Sequence, residues 1–491
     1  MKKLINISAW RLGHFYAEAN ASDFYYIKLA RKLYDIIRFS ELGKDEGEYM
    51  CWRFAMAVAY YFEDVVSGIG IWQTFTSWHK KLYGKYLPFY ELDEERYYQD
   101  EINVEDVCFL LWMILQKKRD NVFLNPENPY LIKMAIMVYS ELDTEFEKAP
   151  INVEMLERLK NKELYGDFFV VKEMLIHMVN HLYLFQSFTE EQIERVEDEL
   201  QALLEDDLDD SAFAYAVVSI MACCEKTGPL ALYGKDWLAA MLSHWGMVDE
   251  SERIAMIEPL KHSVYLLKRY DSQIICLEDR KGKEYIVSRD SFNSLPDSTL
   301  LDNKSFMASL VKYNGEWQVN GMSSWSRGRK LFDAYKAKLS AMGCDSALYD
   351  KLMKANENHP MLYFKNNEEM LEWFDRHIGF DENFTFPGQM MERSFLAVYI
   401  EKDKDIAIIP NGALMIKDER NPYYDKKEAE SGGVNLIVSA EVAPKEMLHY
   451  LIEHKLLPDV CINSMKGMER GKQLVQENMD FIARFMRGND Y

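Results

Sequence analysis

Proline and glycine are scarce in this chain, 13 and 23 among 491 residues, which excludes collagen-like, linker-rich and low-complexity architectures. Cysteine is scarce too. The seven (Cys51, Cys108, Cys223, Cys224, Cys276, Cys344, Cys461) are odd in number, scattered and never spaced C-x-x-C, so no zinc ribbon, dithiol redox site or disulfide framework is indicated and a reducing compartment fits. Long apolar runs are missing: the longest without a charge, Ser211 to Cys224, has 14 residues where a bilayer crossing needs about 20, and it reads as a buried helix. The apolar stretch Leu4 to Trp10 stops at Arg11, short for a signal-peptide core, so no export is expected. Positive charge is in deficit, 58 Lys and Arg against 80 Asp and Glu, and the field of the resulting −22 repels nucleic acid and anionic membranes. A cytoplasmic protein that does not engage membranes is the expectation.

What is present is core-forming material. With 48% hydrophobic and 28% charged residues, the composition is that of a folded protein too long for one hydrophobic core. To about residue 258, segments of helical period follow one another. Ser22-Asp23 is placed to cap a helix carrying Ile27, Leu29, Ala30, Leu33, Tyr34 and Ile37 on one face, and Thr189 with Gln192 has the spacing of a capping box. Between Lys261 and Trp325 the grammar changes. Ile274 to Leu277 and Tyr285 to Val287 flank Arg280-Lys281-Gly282-Lys283, and Phe306 to Tyr313 and Trp317 to Asn320 flank Asn314-Gly315, the dipeptide suited to a type I′ hairpin turn. Tyr265 to Arg269 supplies a fifth strand, giving a small barrel or compact sheet. After residue 330 helices return, with strands expected at Phe395 to Ile400, Ile406 to Ile409 and Val434 to Val438, then two closing helices. The fold class is α+β, mainly α: an acidic helical domain at 1–258, a small antiparallel, barrel-like β module at 259–330 and a C-terminal α+β domain at 331–491.

Charge divides along the same lines. Residues 261–330 hold 12 Lys and Arg against 8 Asp and Glu, while both flanking regions are net acidic. The basic module therefore suits docking onto its own acidic neighbour, which is always present at high effective concentration, better than an external acidic partner.

Glu173, His177 and His181 stand at successive i, i+4 positions of one helix and project from one face. Imidazoles one turn apart can chelate a single ion, which makes His177 and His181 the metal candidates. Met178 follows His177, so the glutamate of H-E-x-x-H is missing, and about 12 Å of helix rise keeps Glu173 and His181 from sharing one ion. The simpler reading is a Glu173–His177 ion pair on a half-buried face. The acidic run Glu190 to Asp210 lacks the ligand pattern of a calcium loop and reads as a solvated face. Gly321-Met322-Ser323-Ser324-Trp325 lacks the final glycine of a nucleophile elbow, Gly68-Ile69-Gly70 reads as a turn, and Cys223-Cys224 as inert core. Lys312, Tyr313, Trp317, Trp325 and Arg327 mix aromatic and basic character as a candidate binding surface, although alternation sends Trp317 and Val319 to the same, core-facing side.

Three stretches carry a resemblance: Ile7-Ser8-Ala9-Trp10 leading to Ser22-Asp23-Phe24-Tyr25-Tyr26, Leu310 through Gly321, and Leu457-Pro458-Asp459 through Phe481. Together they resemble an uncharacterised bacterial family of unknown function from Bacteroidetes. The resemblance implies a bacterial cytosolic protein whose parts belong together and brings no activity, cofactor or catalytic residue. The leading expectation is a non-enzymatic protein acting through macromolecular contacts, because no complete catalytic constellation is visible. No catalytic or cofactor-binding residue is assigned, and the cofactor and partner are unknown. The alternatives are a metal-assisted hydrolase using His177 and His181, and nucleic-acid association confined to residues 261–330.

Overall fold

Helices fill the first 255 residues of the computed structural model, which describes the chain except for residues 94, 120–121, 204–208, 272, 293–303, 327, 342–345, 380–392 and 403–405. A short α1 (Ile7–Arg11) leads to α2 (Ala21–Phe39), α3 (Glu41–Ser67), α4 (Ile71–Tyr83), α5 (Val104–Lys117), α6 (Pro129–Glu145), α7 (Val153–Leu159), α8 (Phe168–His181), α9 (Gln186–Gln201) and α10 (Asp210–Cys224). A two-stranded turn, β1 (Lys226–Thr227) with β2 (Leu232–Tyr233), then feeds α11 (Gly234–His244) and α12 (Val248–Ala255). Helix α5 is buried on every side from Asp106 to Gln116, as its run of large apolar residues requires of a central helix. Around it the rings of Trp72, Phe75, Phe109 and Trp112 contact one another in sequence at 5.3, 5.0 and 5.6 Å.

Two of the expected caps fall elsewhere. Asn20, not Ser22, caps α2: its side chain accepts the Asp23 N–H at 3.1 Å while Asp23 Oδ2 accepts the Asn20 N–H at 2.8 Å. Helix α9 begins at Gln186, so Thr189 lies inside it and donates to the Val179 carbonyl at 2.7 Å, and Gln192 donates to the Lys226 carbonyl at 2.6 Å. Both side chains that the local spacing assigned to a capping box donate instead to carbonyls outside α9.

Strands β3 (Glu258–Tyr270), β4 (Ile274–Glu278), β5 (Glu284–Ser288), β6 (Ser305–Tyr313) and β7 (Glu316–Ser326) close in the order β3-β4-β5-β7-β6, with β6 returning to β3. Every neighbour is antiparallel except β5 with β7, which meet in one parallel pairing, Val287 opposite Trp317. At the β6–β7 turn Asn314 and Gly315 take φ of 50° and 85°, as the dipeptide implies. Tyr265, Leu277, Tyr285, Val287, Phe306, Leu310 and Val319 fill the interior, with Trp317 packed against them. The opposite face of β3 and β6 presents Val264, Leu266 and Met307 to Phe332 at the start of α13 (Lys330–Ala341).

The barrel packs on α10 through a bulge in β7. Ala308 opposes Ser323 while Ser309 opposes Asn320, so two extra residues bow out, and Gly321 takes φ of 82°. Asn320 is thereby aimed at α10, where its Nδ2 donates to the Ser219 carbonyl at 3.0 Å. A Cβ on Gly321 would stand 3.0 Å from Ser219 Cβ and 3.2 Å from Ala216 Cα. Gly321→Ala combines left-handed strain with a tight contact against α10 and is expected to cost about 2 kcal/mol in urea unfolding followed by tryptophan fluorescence. A change below about 0.5 kcal/mol, the range of ordinary surface substitutions, would contradict this.

The chain divides into the compact units Met1–Lys336 and Ala337–Tyr491, and the barrel lies in the first. The second holds α14 (Ser346–Ala355), β8 (Met361–Asn366), α15 (Asn367–Ile378), β9 (Ser394–Ile400) and β10 (Ile406–Ile409), with the strands ordered β10-β9-β8, all antiparallel. Three short helices, α16 (Gly412–Met415), α17 (Lys426–Gly432) and α18 (Val434–Val438), precede α19 (Lys445–Glu453) and α20 (Met468–Arg487). The strand expected at Val434 to Val438 is therefore helical. Buried Arg487 accounts for it: its guanidinium donates to the carbonyls of Leu436, Ile437 and Ala443 at 2.5, 2.6 and 2.6 Å, satisfying groups that a helix end leaves open. The fold class is α+β and mainly helical, and among the described residues no single helix is long and apolar enough to cross a membrane.

Candidate functional site

After α1 the chain must pass the ring of Tyr60 so closely that a Cβ on Gly13 would stand 2.7 Å from it. This approach turns His14 inward. Trp10 stacks on Tyr60 with ring centres 4.3 Å apart, and its carbonyl faces His14 Nδ1 at 3.0 Å. The other ring nitrogen of His14 meets Glu63 Oε2 of α3 at 2.7 Å. Because a carbonyl only accepts, Nδ1 carries a proton, and the carboxylate takes the second N–H, so His14 is an imidazolium. Burial works against that charge, yet the adjacent Glu63 carboxylate raises His14 above the usual histidine range.

The pair is the centre of a closed buried network. Glu63 Oε1 accepts from Asn152 Nδ2 at 2.9 Å, and the same amide donates to the Tyr16 hydroxyl at 2.9 Å. Tyr16 donates to Asp23 at 2.6 Å, and Asp23 also accepts from Trp10 Nε1 at 3.1 Å. His14, Asp23 and Glu63 form the one group, among the described residues, of three or more metal-ligating side chains whose ligand atoms lie within 4.8 Å of one another. With both imidazole nitrogens acting as donors, the geometry is that of an ion pair with its hydrogen bonds satisfied, and not of a metal centre.

His14 also forms one wall of a cleft of about 490 Å³, opposite α8. Asp167 starts α8 by accepting the Phe169 and Val170 N–H groups at 2.7 and 3.2 Å, and the helical repeat then brings Glu173, His177 and His181 to the cleft together. Arg158 of α7 lines it as well. Glu173 does not pair with His177; it accepts from the Tyr215 hydroxyl at 3.2 Å. The His177 ring lies 4.4 Å from Phe15 and 5.0 Å from His181, and its buried Nε2 has no hydrogen-bond partner. Burial, with neighbouring His181, His14 and Arg158 adding to it, pushes His177 down to about 3, and burial lowers His181. Both imidazoles are neutral at pH 7. Glu173, His177 and His181 were visible as a helical face, whereas His14, Glu63 and Arg158 come from other segments and leave no local signal.

The aromatic and basic residues of the barrel are placed differently. Tyr313 is 4% exposed and donates to the Tyr165 carbonyl at 2.6 Å. Lys312 pairs with Glu258 at 2.9 Å, and Trp317 packs edge-on to Tyr285 at 5.2 Å. Trp325 is 37% exposed, and Arg327 lies outside the described residues. Trp317 and Trp325 lie opposite Lys312 and Phe306 of β6 and are separated along the sheet by roughly 20 Å at about 3.3 Å per residue, so they do not share one stacking platform. Lys261 of the barrel joins Glu225 at 2.6 Å and Glu199 of α9 at 3.5 Å, a link between basic module and acidic helices. Ser323 is paired inside the sheet with Ala308, and Cys223 and Cys224 are buried, with burial pushing the Cys224 thiol up to about 12. Gly68 and Gly70 form the turn between α3 and α4. Residues 204–208 of the acidic run lie outside the described residues.

The geometry defines a mainly helical protein with a five-stranded barrel set against one of its helices and a histidine-lined cleft near its N-terminus. The family model described as Protein of unknown function (DUF3843) matches residues 5–260 and 342–487, most of the length, and the chain belongs to that family. No curated protein and no solved structure matches it.

Proposed function

We propose that the cleft holds a divalent transition-metal ion through His177 and His181 and hydrolyses a small substrate there, so that the chain acts by chemistry and not through surface contacts alone. The observation that carries this reading is the buried Nε2 of His177, which has no hydrogen-bond partner and, unlike the partnerless Nε2 of His262, belongs to a ring that lines the cleft beside a second imidazole. Two imidazoles sharing one ion at about 2.1 Å and a tetrahedral angle have ring centres roughly 5 Å apart, and the observed separation is 5.0 Å. Both rings are already neutral, so no proton has to be displaced for ligation. Such an ion, when bound, polarises the substrate and eases deprotonation of water. Glu173 on the same face is the base: it takes a proton from the attacking water, whose oxygen joins the electrophilic atom, and returns that proton to the leaving group.

Untagged protein stripped with a chelator and titrated with Co²⁺ or Zn²⁺ tests the reading. One equivalent is expected to bind, with affinity falling roughly 100-fold in His177→Ala or His181→Ala and unchanged in the control His454→Ala. Binding that neither cleft variant weakens, or no binding at all, would return the protein to the contact-only reading.

A further inference from the structure

The cleft that carries the proposed metal site also carries a cation with no ion-pair partner among the described residues. Arg158 lines it from α7, and among the described residues its guanidinium has no ion pair or hydrogen bond. The charge on His14 is answered behind the wall by Glu63 at 2.7 Å. Glu173 is the one carboxylate that lines the cleft among the described residues; one of its oxygens accepts from the Tyr215 hydroxyl at 3.2 Å, and it forms no ion pair with Arg158. Arg158 is exposed, so water solvates its guanidinium until an anion entering the cleft displaces that water. Guanidinium presents parallel N–H donors that match the two oxygens of a carboxylate or phosphate group, and this geometry is the strongest recognition a single side chain offers. The volume, about 490 Å³, suits a small molecule and not a polymer.

We infer that the substrate of this cleft is a small molecule bearing an oxyanion, phosphate or carboxylate, which Arg158 grips beside His177 while the scissile bond faces the two imidazoles. The inference rests on the reading of the cleft as the reactive site and deepens it by assigning the substrate class. Arg158 is then a specificity residue: it binds the charged end and leaves the metal ligands untouched.

The probes are inorganic phosphate and acetate, titrated calorimetrically into metal-free and cobalt-loaded protein, wild type against Arg158→Gln and Arg158→Lys. Phosphate, acetate or both bind the wild type, and Arg158→Gln weakens that binding roughly tenfold or more, with Arg158→Lys in between because it keeps the charge without the fork. Stronger binding of phosphate identifies a phosphorylated substrate and stronger binding of acetate a carboxylate. Cobalt affinity does not fall in Arg158→Gln, because removing a cation near the imidazoles cannot weaken the binding of another cation. Equal anion binding by wild type and Arg158→Gln, or no binding of either anion, overturns the inference. Anion binding that depends on Arg158 in a protein that takes up no cobalt upholds it while removing the metal reading.

Discussion

Asp64→Ala is expected to destabilise the Met1–Lys336 unit by roughly 4 kcal/mol, because it strips partners from four donors that no water reaches. Asp64 is 2% exposed near the end of α3, where the chain turns through Gly68 and Gly70 into α4. Its Oδ1 accepts the N–H groups of Gly70 and Ile71 at 2.7 and 3.0 Å, and its Oδ2 accepts the Trp72 N–H and the Tyr183 hydroxyl, both at 2.7 Å. Three of these are N–H groups of the first turn of a helix, which have no partner within the helix itself, and the carboxylate also sits at the positive end of the helix dipole. Burial pushes the Asp64 carboxyl up to about 6 against the pull of its hydrogen bonds, so it is ionised at neutral pH. Asp64→Asn keeps the shape but turns one acceptor into a donor facing other donors, and it is expected to recover less than half of the loss. Urea unfolding at pH 7 decides. A loss under about 1 kcal/mol for Asp64→Ala would mean that other groups close the turn, since a single replaced hydrogen bond is worth that much.

The turn that Asp64 closes was readable as a turn from Gly68-Ile69-Gly70, but the residue that holds it was not, because a carboxylate four residues before a glycine has no distinctive spacing. The same division recurs through the chain. The β6–β7 hairpin was legible because its chemistry is local: Asn314 and Gly315 tolerate positive φ and the flanking residues alternate. Helix α10 was legible from an uninterrupted apolar run. Val434 to Val438 was misread because β-branched residues favour strands, while the deciding partner, Arg487, lies some fifty residues on in α20. Thr189 was misread for the same reason, since its hydroxyl goes to Val179 in the preceding helix. At the cleft the i, i+4 face of α8 could be read directly, but the ion pair expected between Glu173 and His177 does not form, because Tyr215 of α10 takes the carboxylate and Phe15 covers the imidazole. Local periodicity places residues on a face; which partner each one finds is settled by segments brought in from elsewhere.

The buried pair at the back of the cleft gives the second large effect, and its pH dependence distinguishes it from simple loss of packing. Glu63→Gln leaves the His14 imidazole, 3% exposed, without its hydrogen-bonded carboxylate and with Asp23 as the nearby carboxylate, and breaking a buried ion pair by removing one partner costs about 3–5 kcal/mol. In the wild type the folded-state value of His14 lies above the unfolded 6.5, so the pair's contribution is fully present below 6.5 and is lost as pH rises through the raised value. Without Glu63 the desolvation of the ring, the largest influence on it, is expected to outweigh the weaker pull of Asp23 and to bring its value below 6.5. The variant then loses stability as pH drops, where the wild type gains. The difference in unfolding free energy between the two proteins is therefore expected to widen from pH 8 to pH 5, by about 1.4 kcal/mol for each pH unit over which one folded state holds a proton more than the other. Urea titrations at pH 8, 7, 6 and 5 measure it. A difference that stays constant across that range would show that His14 is neutral in the fold, that Glu63 contributes only a neutral hydrogen bond, and that the wall of the cleft carries no fixed positive charge.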